Sequence, residues 1–235
     1  MTSENGLSQN KKFLDEDVLL WSDNDLVFKV QSGATDLFGV IIERYQGKLF
    51  AYLYRLIGNR EEAQDLLQNV FIKAFRNMKS YDVERKFSSW IYRIAHNEAI
   101  NHLKRKSLRR FISWEDIVST RDKLRTSETE DGADEAWIRK EVIDEVDEVI
   151  TKLPVKYRQV LLLRYYSEKS YEEISEILQK PVNTVGTLIN RAKKKMAREV
   201  DKNRKKFNLK ERPGEINKLI NKTAYVSERS GDAKN

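Results

Sequence analysis

From residue 38 onward, Phe38, Ile42, Tyr45, Leu49, Leu53 and Leu56 recur every three or four positions, with Ile57 beside the last, which is the period of a helix with one buried face. Thr35 and Asp36 supply a predicted N-cap and Gly58 a stop. A second helix is predicted at once, with Asn59 as N-cap and Glu62 three residues on. Its apolar stripe is Ala63, Leu66, Leu67, Val70, Phe71, Ala74, Phe75 and Met78, and its opposite face carries Glu61, Asp65, Gln68, Asn69 and Lys73. A polar loop over 76–86 leads to a third helix, 87–110, with Trp90, Ile91, Ile94, Ala95 and Leu103 at its core positions. It closes in a basic run: Lys104, Arg105, Lys106, Arg109 and Arg110.

The second half is built of shorter pieces. A helix over 141–153 would bury Val142, Val146, Val149 and Ile150 before Pro154 breaks it, and another over 155–166 is centred on Val160, Leu161 and Leu163. Ser170 and Glu173 form a capping box for 171–178, which stops at Gln179-Lys180-Pro181, and Asn183 caps a last helix to about residue 200. A short helix, a tight turn and a longer basic helix make the helix-turn-helix pattern, whose second helix enters the DNA major groove. The same spacing also suits an ordinary α-hairpin with Arg191, Lys193, Lys194, Lys195 and Arg198 as a solvated face.

Composition fixes the class and the segmentation. Nine Gly and three Pro in 235 residues write too few turns for a β sandwich or a Gly-cradled phosphate site, so the fold class is all-α: two small helical domains joined by a flexible acidic linker, the second containing the helix-turn-helix. Lys and Arg outnumber Asp and Glu by 44 to 37. The excess is uneven: residues 22–110 stand at +6 and 138–200 at +3, while 111–137 carry three basic against eight acidic residues. The expected organisation is a tail over 1–21, a first domain over 22–110, a linker over 111–138, a helix-turn-helix domain over 139–201 and a basic tail over 202–235. In that last tail, Ile216, Leu219 and Ile220 have helical spacing, read either as part of a frayed basic tail or as a short contact helix.

Absences narrow the function classes. There is no Cys, so disulfides, Cys-ligated zinc and a thiol nucleophile are excluded. His96 and His102, six residues apart on one helix, would face different ways, so no metal or other cofactor is expected. The first residues lack the features of a secretory signal and no apolar run approaches the roughly 20 residues that span a bilayer, so a soluble, cytoplasmic protein without membrane insertion is expected. No nucleophile-base pair or carboxylate cluster marks an enzyme. What stands out is Tyr81, Phe87, Trp90 and Tyr92 interleaved with Lys79, Arg85, Lys86 and Arg93, a combination that suits single-stranded nucleic acid because bases stack on rings while cations follow phosphates. Phe87 and Trp90 at i and i+3 could equally be core.

The stretch NREEAQDLLQNVFIKAFRNMKSYDVERKFSSWIYRIAHNEAINHLKRK, followed beyond the acidic segment by LPVKYRQVLLLRYYSEKSYEEISEILQKPVNTVGTLINRAKKKM, resembles bacterial RNA polymerase sigma factors, and is most similar to the small two-domain extracytoplasmic-function class. The resemblance implies a promoter-specificity subunit without enzymatic activity of its own, whose partners are core RNA polymerase and promoter DNA, duplex and single-stranded. Asp65, Gln68 and Asn69 match the face that docks on the clamp of the largest polymerase subunit. Tyr81, Arg85, Lys86, Phe87 and Trp90 match the part that captures a flipped base of the −10 element. Asn97 and Asn101 match positions facing its upstream part, where amides suit base edges, with Lys104 and Arg105 on phosphates. Thr184, Thr187, Asn190 and Arg191 fall at groove-facing positions for the −35 duplex, with Lys194 on phosphate. Gly186 and Leu188 depart from the family's usual basic residue and Arg, which puts the −35 preference in doubt. Many relatives are held by an anti-sigma factor, a further partner class. The alternative is a free-standing helix-turn-helix regulator with a degenerate polymerase-binding half; an enzyme acting on nucleic acid is disfavoured by the missing chemistry.

Overall fold

A computed structural model describes residues 18, 20–112 and 148–207 of the chain. The predicted linker beyond residue 112, the start of the 141–153 helix and the 216–220 patch lie outside them; the first two residues given to the linker, 111 and 112, instead end the helix that begins at Phe87. Every element among the described residues is helical, as the scarcity of Gly and Pro requires.

Helix α1, Asp23–Gln31, was not visible in the apolar pattern, because only Leu26, Val27 and Val30 are buried in it. Its capping box is nonetheless written in the sequence: Ser22 Oγ accepts from the Asp25 N–H at 3.2 Å, and the Asp25 carboxylate accepts from the Ser22 N–H at 3.2 Å. Helix α2, Phe38–Ile57, begins after a 3-10 turn over Thr35–Leu37, so Thr35 and Asp36 build that turn and do not cap α2. It ends where Gly58 turns left-handed (φ 83°) and donates to the Tyr54 carbonyl at 2.7 Å, a conformation that a side chain would strain.

Helix α3, Arg60–Asn77, is capped by Asn59, whose side-chain oxygen accepts from Glu62 N–H at 2.9 Å. Ala63, Leu66, Val70, Phe71 and Ala74 face inward. Phe75 does not: it is 45% exposed and rests on the Phe38 ring at 5.0 Å, because Phe71 and Ala74 already fill the inner arc and the next position rotates outward. Helix α4, Phe87–Ile112, buries Ile91, Tyr92, Ala95 and Ala99, while Trp90, Ile94 and Leu103 are only half-buried.

In the second domain, helical residues 148–152 precede Pro154. Helix α5, Val155–Leu161, then widens into a π turn over Leu162–Tyr166. Helix α6, Tyr171–Leu178, carries the expected Ser170/Glu173 box and ends at Gln179 in the left-handed region (φ 51°). Helix α7, Val182–Phe207, starts one residue before the predicted cap. The Pro181 carbonyl takes the first helical bonds, from Thr184 at 2.8 Å and Val185 at 3.1 Å, so Pro181 and not Asn183 opens the helix.

Val160, Leu161, Ile174, Ile177, Val185, Ile189, Ala192 and Met196 pack α5, α6 and α7 together. The two halves also touch: α6 lies along α4, and the Arg158 guanidinium donates from α5 to the Leu56 carbonyl of α2 at 2.8 Å.

Candidate nucleic-acid interface

The loop between α3 and α4 is held from an unexpected direction. Gln31 Nε2 donates to the carbonyls of Met78 at 2.9 Å and Tyr81 at 2.8 Å, and Asn24 Nδ2 donates to those of Val83 at 2.6 Å and Arg85 at 3.2 Å. Two amides of α1 thus reach four loop carbonyls; those of Met78 and Arg85 also accept from the Tyr81 N–H and hydroxyl, while those of Tyr81 and Val83 are served from α1. Sequence reading missed both residues, since a single amide on a short helix carries no periodic signal.

Within that loop the aromatic residues divide. Tyr81 (6% exposed) and Phe87 (1%) are buried, with ring centroids 5.6 Å apart, and the Tyr81 hydroxyl donates to the Arg85 carbonyl. Burial, with Asp82 nearby, pushes the Tyr81 phenol up to about 12, so it stays a donor. Trp90 is half-buried on this base, 4.9 Å from Tyr81 and 5.5 Å from Phe87, with part of its ring open to solvent. Arg85 and Lys86 are exposed; Arg85 pairs with Asp82 at 3.4 Å, and Lys86 reaches Glu173 of α6 at 3.1 Å. Tyr81 and Phe87 therefore act from beneath Trp90 in this state and offer no open ring face.

Along α4, Asn97, Asn101, Lys104 and Arg105 are all exposed. At 100° per residue Trp90, Asn97, Asn101 and Lys104 fall on one stripe, opposite the buried side of the same helix. His96, one residue off that stripe, is buried: Tyr52 Oη lies 3.1 Å from its Nδ1. His102 instead reaches Glu62 at 3.0 Å, so the two histidines do face different ways.

Asp65, Gln68 and Asn69 are exposed on the outer side of α3, and Ile72 (48% exposed) and Phe75 extend their row with an apolar end. Between this row and α4 lies a cleft of about 410 Å³ lined by Glu62, Asp65, Asn69, His102, Arg105 and Lys106. Burial alone would raise Glu62, but hydrogen bonds from Lys106 (2.6 Å) and His102 outweigh it and hold the carboxyl below its ordinary value. Glu62 thereby fastens the basic end of α4 to the start of α3.

On α7, Thr184, Thr187, Asn190, Arg191 and Lys194 are all exposed, while Val185, Ile189, Ala192 and Met196 face inward. Thr187 Oγ1 donates back to the Asn183 carbonyl at 2.9 Å. At Gly186 a Cβ would meet the Tyr171 ring at 3.6 Å, an ordinary contact. Gly186→Ala is accordingly expected to stabilise the second domain by about 0.5–1 kcal/mol, through the helical penalty of glycine, read as a higher urea midpoint.

Among the described residues no group of His, Cys, Asp or Glu could hold a metal ion, and no helix is long and apolar enough to cross a membrane. Residues 41–109 match the family described as Sigma-70 region 2, and residues 143–196 match Sigma-70 region 4. The chain is 37% identical over 175 residues to the ECF RNA polymerase sigma factor SigW of Bacillus subtilis, covering 73% of this chain and 93% of that protein. It belongs to the extracytoplasmic-function sigma factors. It is also 34% identical to the RNA polymerase sigma-H factor of Pseudomonas aeruginosa, over 73% of this chain and 90% of that one. Among solved structures, the sigma factor RpoE of Bartonella quintana, in complex with the anti-sigma factor NepR, superposes with a TM-score of 0.59 at 18% identity, over 70% of this chain and 96% of that one. This sigma factor thus serves transcription initiation as a DNA-binding subunit of RNA polymerase, and is not itself an enzyme.

Proposed function

We propose that this sigma factor docks on core polymerase through Asp65, Gln68 and Asn69, reads the melted −10 element with the α4 stripe and its loop, and reads the −35 duplex with α7. The observation that carries this reading is the exposure of two unpartnered polar rows in the first domain, one on α3 and one on α4. The amides Asn97 and Asn101 lie opposite the buried side of α4 and the α3 row is exposed as well, the two meeting only at the shared cleft where Arg105 joins Asp65 and Asn69, so most of each row is open to its own partner. Asn97 and Asn101 suit base edges. Lys104, Arg105, Arg85 and Lys86 suit phosphates, and the open part of Trp90 suits a stacked base, with Tyr81 and Phe87 fixing its position. On α7, Thr184, Thr187, Asn190 and Arg191 suit the major groove and Lys194 its flanking phosphate. Such a subunit works where polymerase and genome are, in the cytoplasm, and its restraining partner would be of the anti-sigma class.

The test is promoter-dependent initiation by purified chain and core polymerase. Transcripts starting at a defined site support the reading. Duplex binding without core and no transcript would instead support a free-standing regulator. Asp65→Ala with Gln68→Ala is expected to weaken core binding about tenfold, or ~1.4 kcal/mol, while −35 duplex binding stays unchanged. Unchanged core affinity in a titration would remove the docking assignment.

A further inference from the structure

One ring of α1 is left in the open. Among the described side chains only Phe28 and Phe75 are exposed aromatic residues, Phe28 the more so at 57%. Phe75 rests on Phe38 and ends the α3 row, whereas Phe28 stands on a helix whose buried side is already made by Leu26, Val27 and Val30. The fold therefore does not use this ring.

Its place is set by its neighbours in register. Helix α1 runs antiparallel to the α3–α4 loop, with Gln31 bonding the carbonyls of Met78 and Tyr81 and Asn24 those of Val83 and Arg85. Phe28 lies between these two anchors along the helix. At ~100° per residue Asn24 and Gln31 share one side of α1, and Phe28 is turned roughly 50° from them toward solvent, so it stands at the outer edge of the contact between helix and loop. The platform is fixed in advance, because four hydrogen bonds to the loop and the Ser22/Asp25 box hold the turns that carry it. Two exposed cations flank it: Lys29, whose Nζ lies 5.7 Å from the Trp21 ring centre, and Lys79, on the 3-10 turn Met78–Ser80 that Gln31 bonds. Of the carboxylates nearby, Asp25 is taken up by the cap and Asp82 pairs with Arg85, leaving Glu84 as the exposed acid of the loop.

The −10 reading gives the bound strand a direction. Asn101 and Asn97 would face its upstream part and Trp90, in the first turn of α4, the captured base, so the strand travels toward the N-terminal end of α4. Beyond that end come the loop and then α1. We propose that Phe28 is a second stacking platform, which takes an unpaired base of the non-template strand on the 3′ side of the base held at Trp90, with Lys29 and Lys79 on the phosphates beside it. This rests on the −10 reading above. Every base has a π face, so the contact prolongs the life of the melted promoter without adding a sequence requirement. A paired duplex offers no free face, so the ring binds only the open state and shifts the equilibrium toward it.

The test uses holoenzyme assembled from the full chain and core polymerase, on a forked promoter fragment selected with that holoenzyme and unpaired from the −10 element onward. Phe28→Ala removes the ring and Phe28→Tyr keeps it; the position is exposed, and urea midpoints check that both variants fold as wild type does. The Phe28→Ala complex should dissociate about tenfold faster than wild type, the size of one base–aromatic stack, and the Phe28→Tyr complex at the wild-type rate. With abasic sites in place of the non-template nucleotides that follow the element, wild type should fall to the Phe28→Ala rate. Equal rates for Phe28→Ala and wild type on the intact fork overturn the proposal, and so does a difference that persists on the abasic fork. Weaker binding of Phe28→Ala to core polymerase in the absence of DNA would make the ring a protein contact and overturns it as well. Should wild-type holoenzyme hold a fork with a scrambled −10 element as long as the selected one, it is the −10 reading that fails, and the proposal with it.

Discussion

Phe87→Ala is expected to destabilise the first domain by about 3–5 kcal/mol, the cost of deleting a buried aromatic side chain and leaving its cavity. Phe87 is 1% exposed, and its ring centroid lies 5.6 Å from those of Tyr45 and Tyr81 and 5.5 Å from that of Trp90. Three rings lose their common support at once, in a domain whose total stability is of order 5–15 kcal/mol. The check is a urea titration at neutral pH beside Asn97→Ala and Asn101→Ala. Those two exposed substitutions should stay within about 0.5 kcal/mol of wild type while weakening single-stranded −10 binding. A Phe87→Ala protein of wild-type stability that had lost only its single-strand affinity would contradict the burial seen here.

A second large effect is expected from acid. His96 is 8% exposed, and burial, with Lys180 of the α6–α7 turn nearby, pushes its imidazole from 6.5 down to about 4. Tyr52 of α2 supplies its hydroxyl at 3.1 Å, and burial pushes that phenol well above its ordinary range, so it remains a donor to the neutral ring. Between pH 4 and 6.5 the unfolded chain binds the extra proton, so stability rises with pH across this window and the contribution is complete above it. About 2 kcal/mol should be lost between pH 7.5 and pH 5. Glu62 and Glu173 titrate below the ordinary carboxylate range and add their losses only at lower pH. His96→Gln keeps an acceptor for Tyr52 and cannot titrate. Denaturant midpoints at the two pH values should differ far less in that variant than in wild type.

Much of this architecture was legible because its helices are long or explicitly capped. The α2 pattern and the Gly58 stop, the Asn59 cap of α3 and the Ser170/Glu173 box of α6 are local signals, and each is found where the residues place it. Legibility failed where the deciding interaction is tertiary. Phe75 belongs to an apolar stripe by spacing, yet its direction is set by how much of the inner arc Phe71 and Ala74 occupy. Helix α1 is too short for its three buried residues to establish a period. In the loop, the order of aromatic and basic residues could not say which ring is foundation and which is surface, because Tyr81 is turned inward by its bond to the Arg85 carbonyl and Trp90 is left half-covered as a result. The candidate rows on α3 and α7 were readable from spacing because everything on the opposite side of those helices is core.

The amides of α1 set where the first domain can be cut. The family match begins at residue 41, but Asn24 and Gln31, which hold the carbonyls of the α3–α4 loop, precede it. A fragment begun at residue 41 would keep every residue of α4 and its loop proposed to touch DNA and still strip four loop carbonyls, those of Met78, Tyr81, Val83 and Arg85, of the amides that α1 supplies. The smallest piece able to present the −10 surface in its native shape therefore starts no later than Ser22, so that α1 and its cap are included.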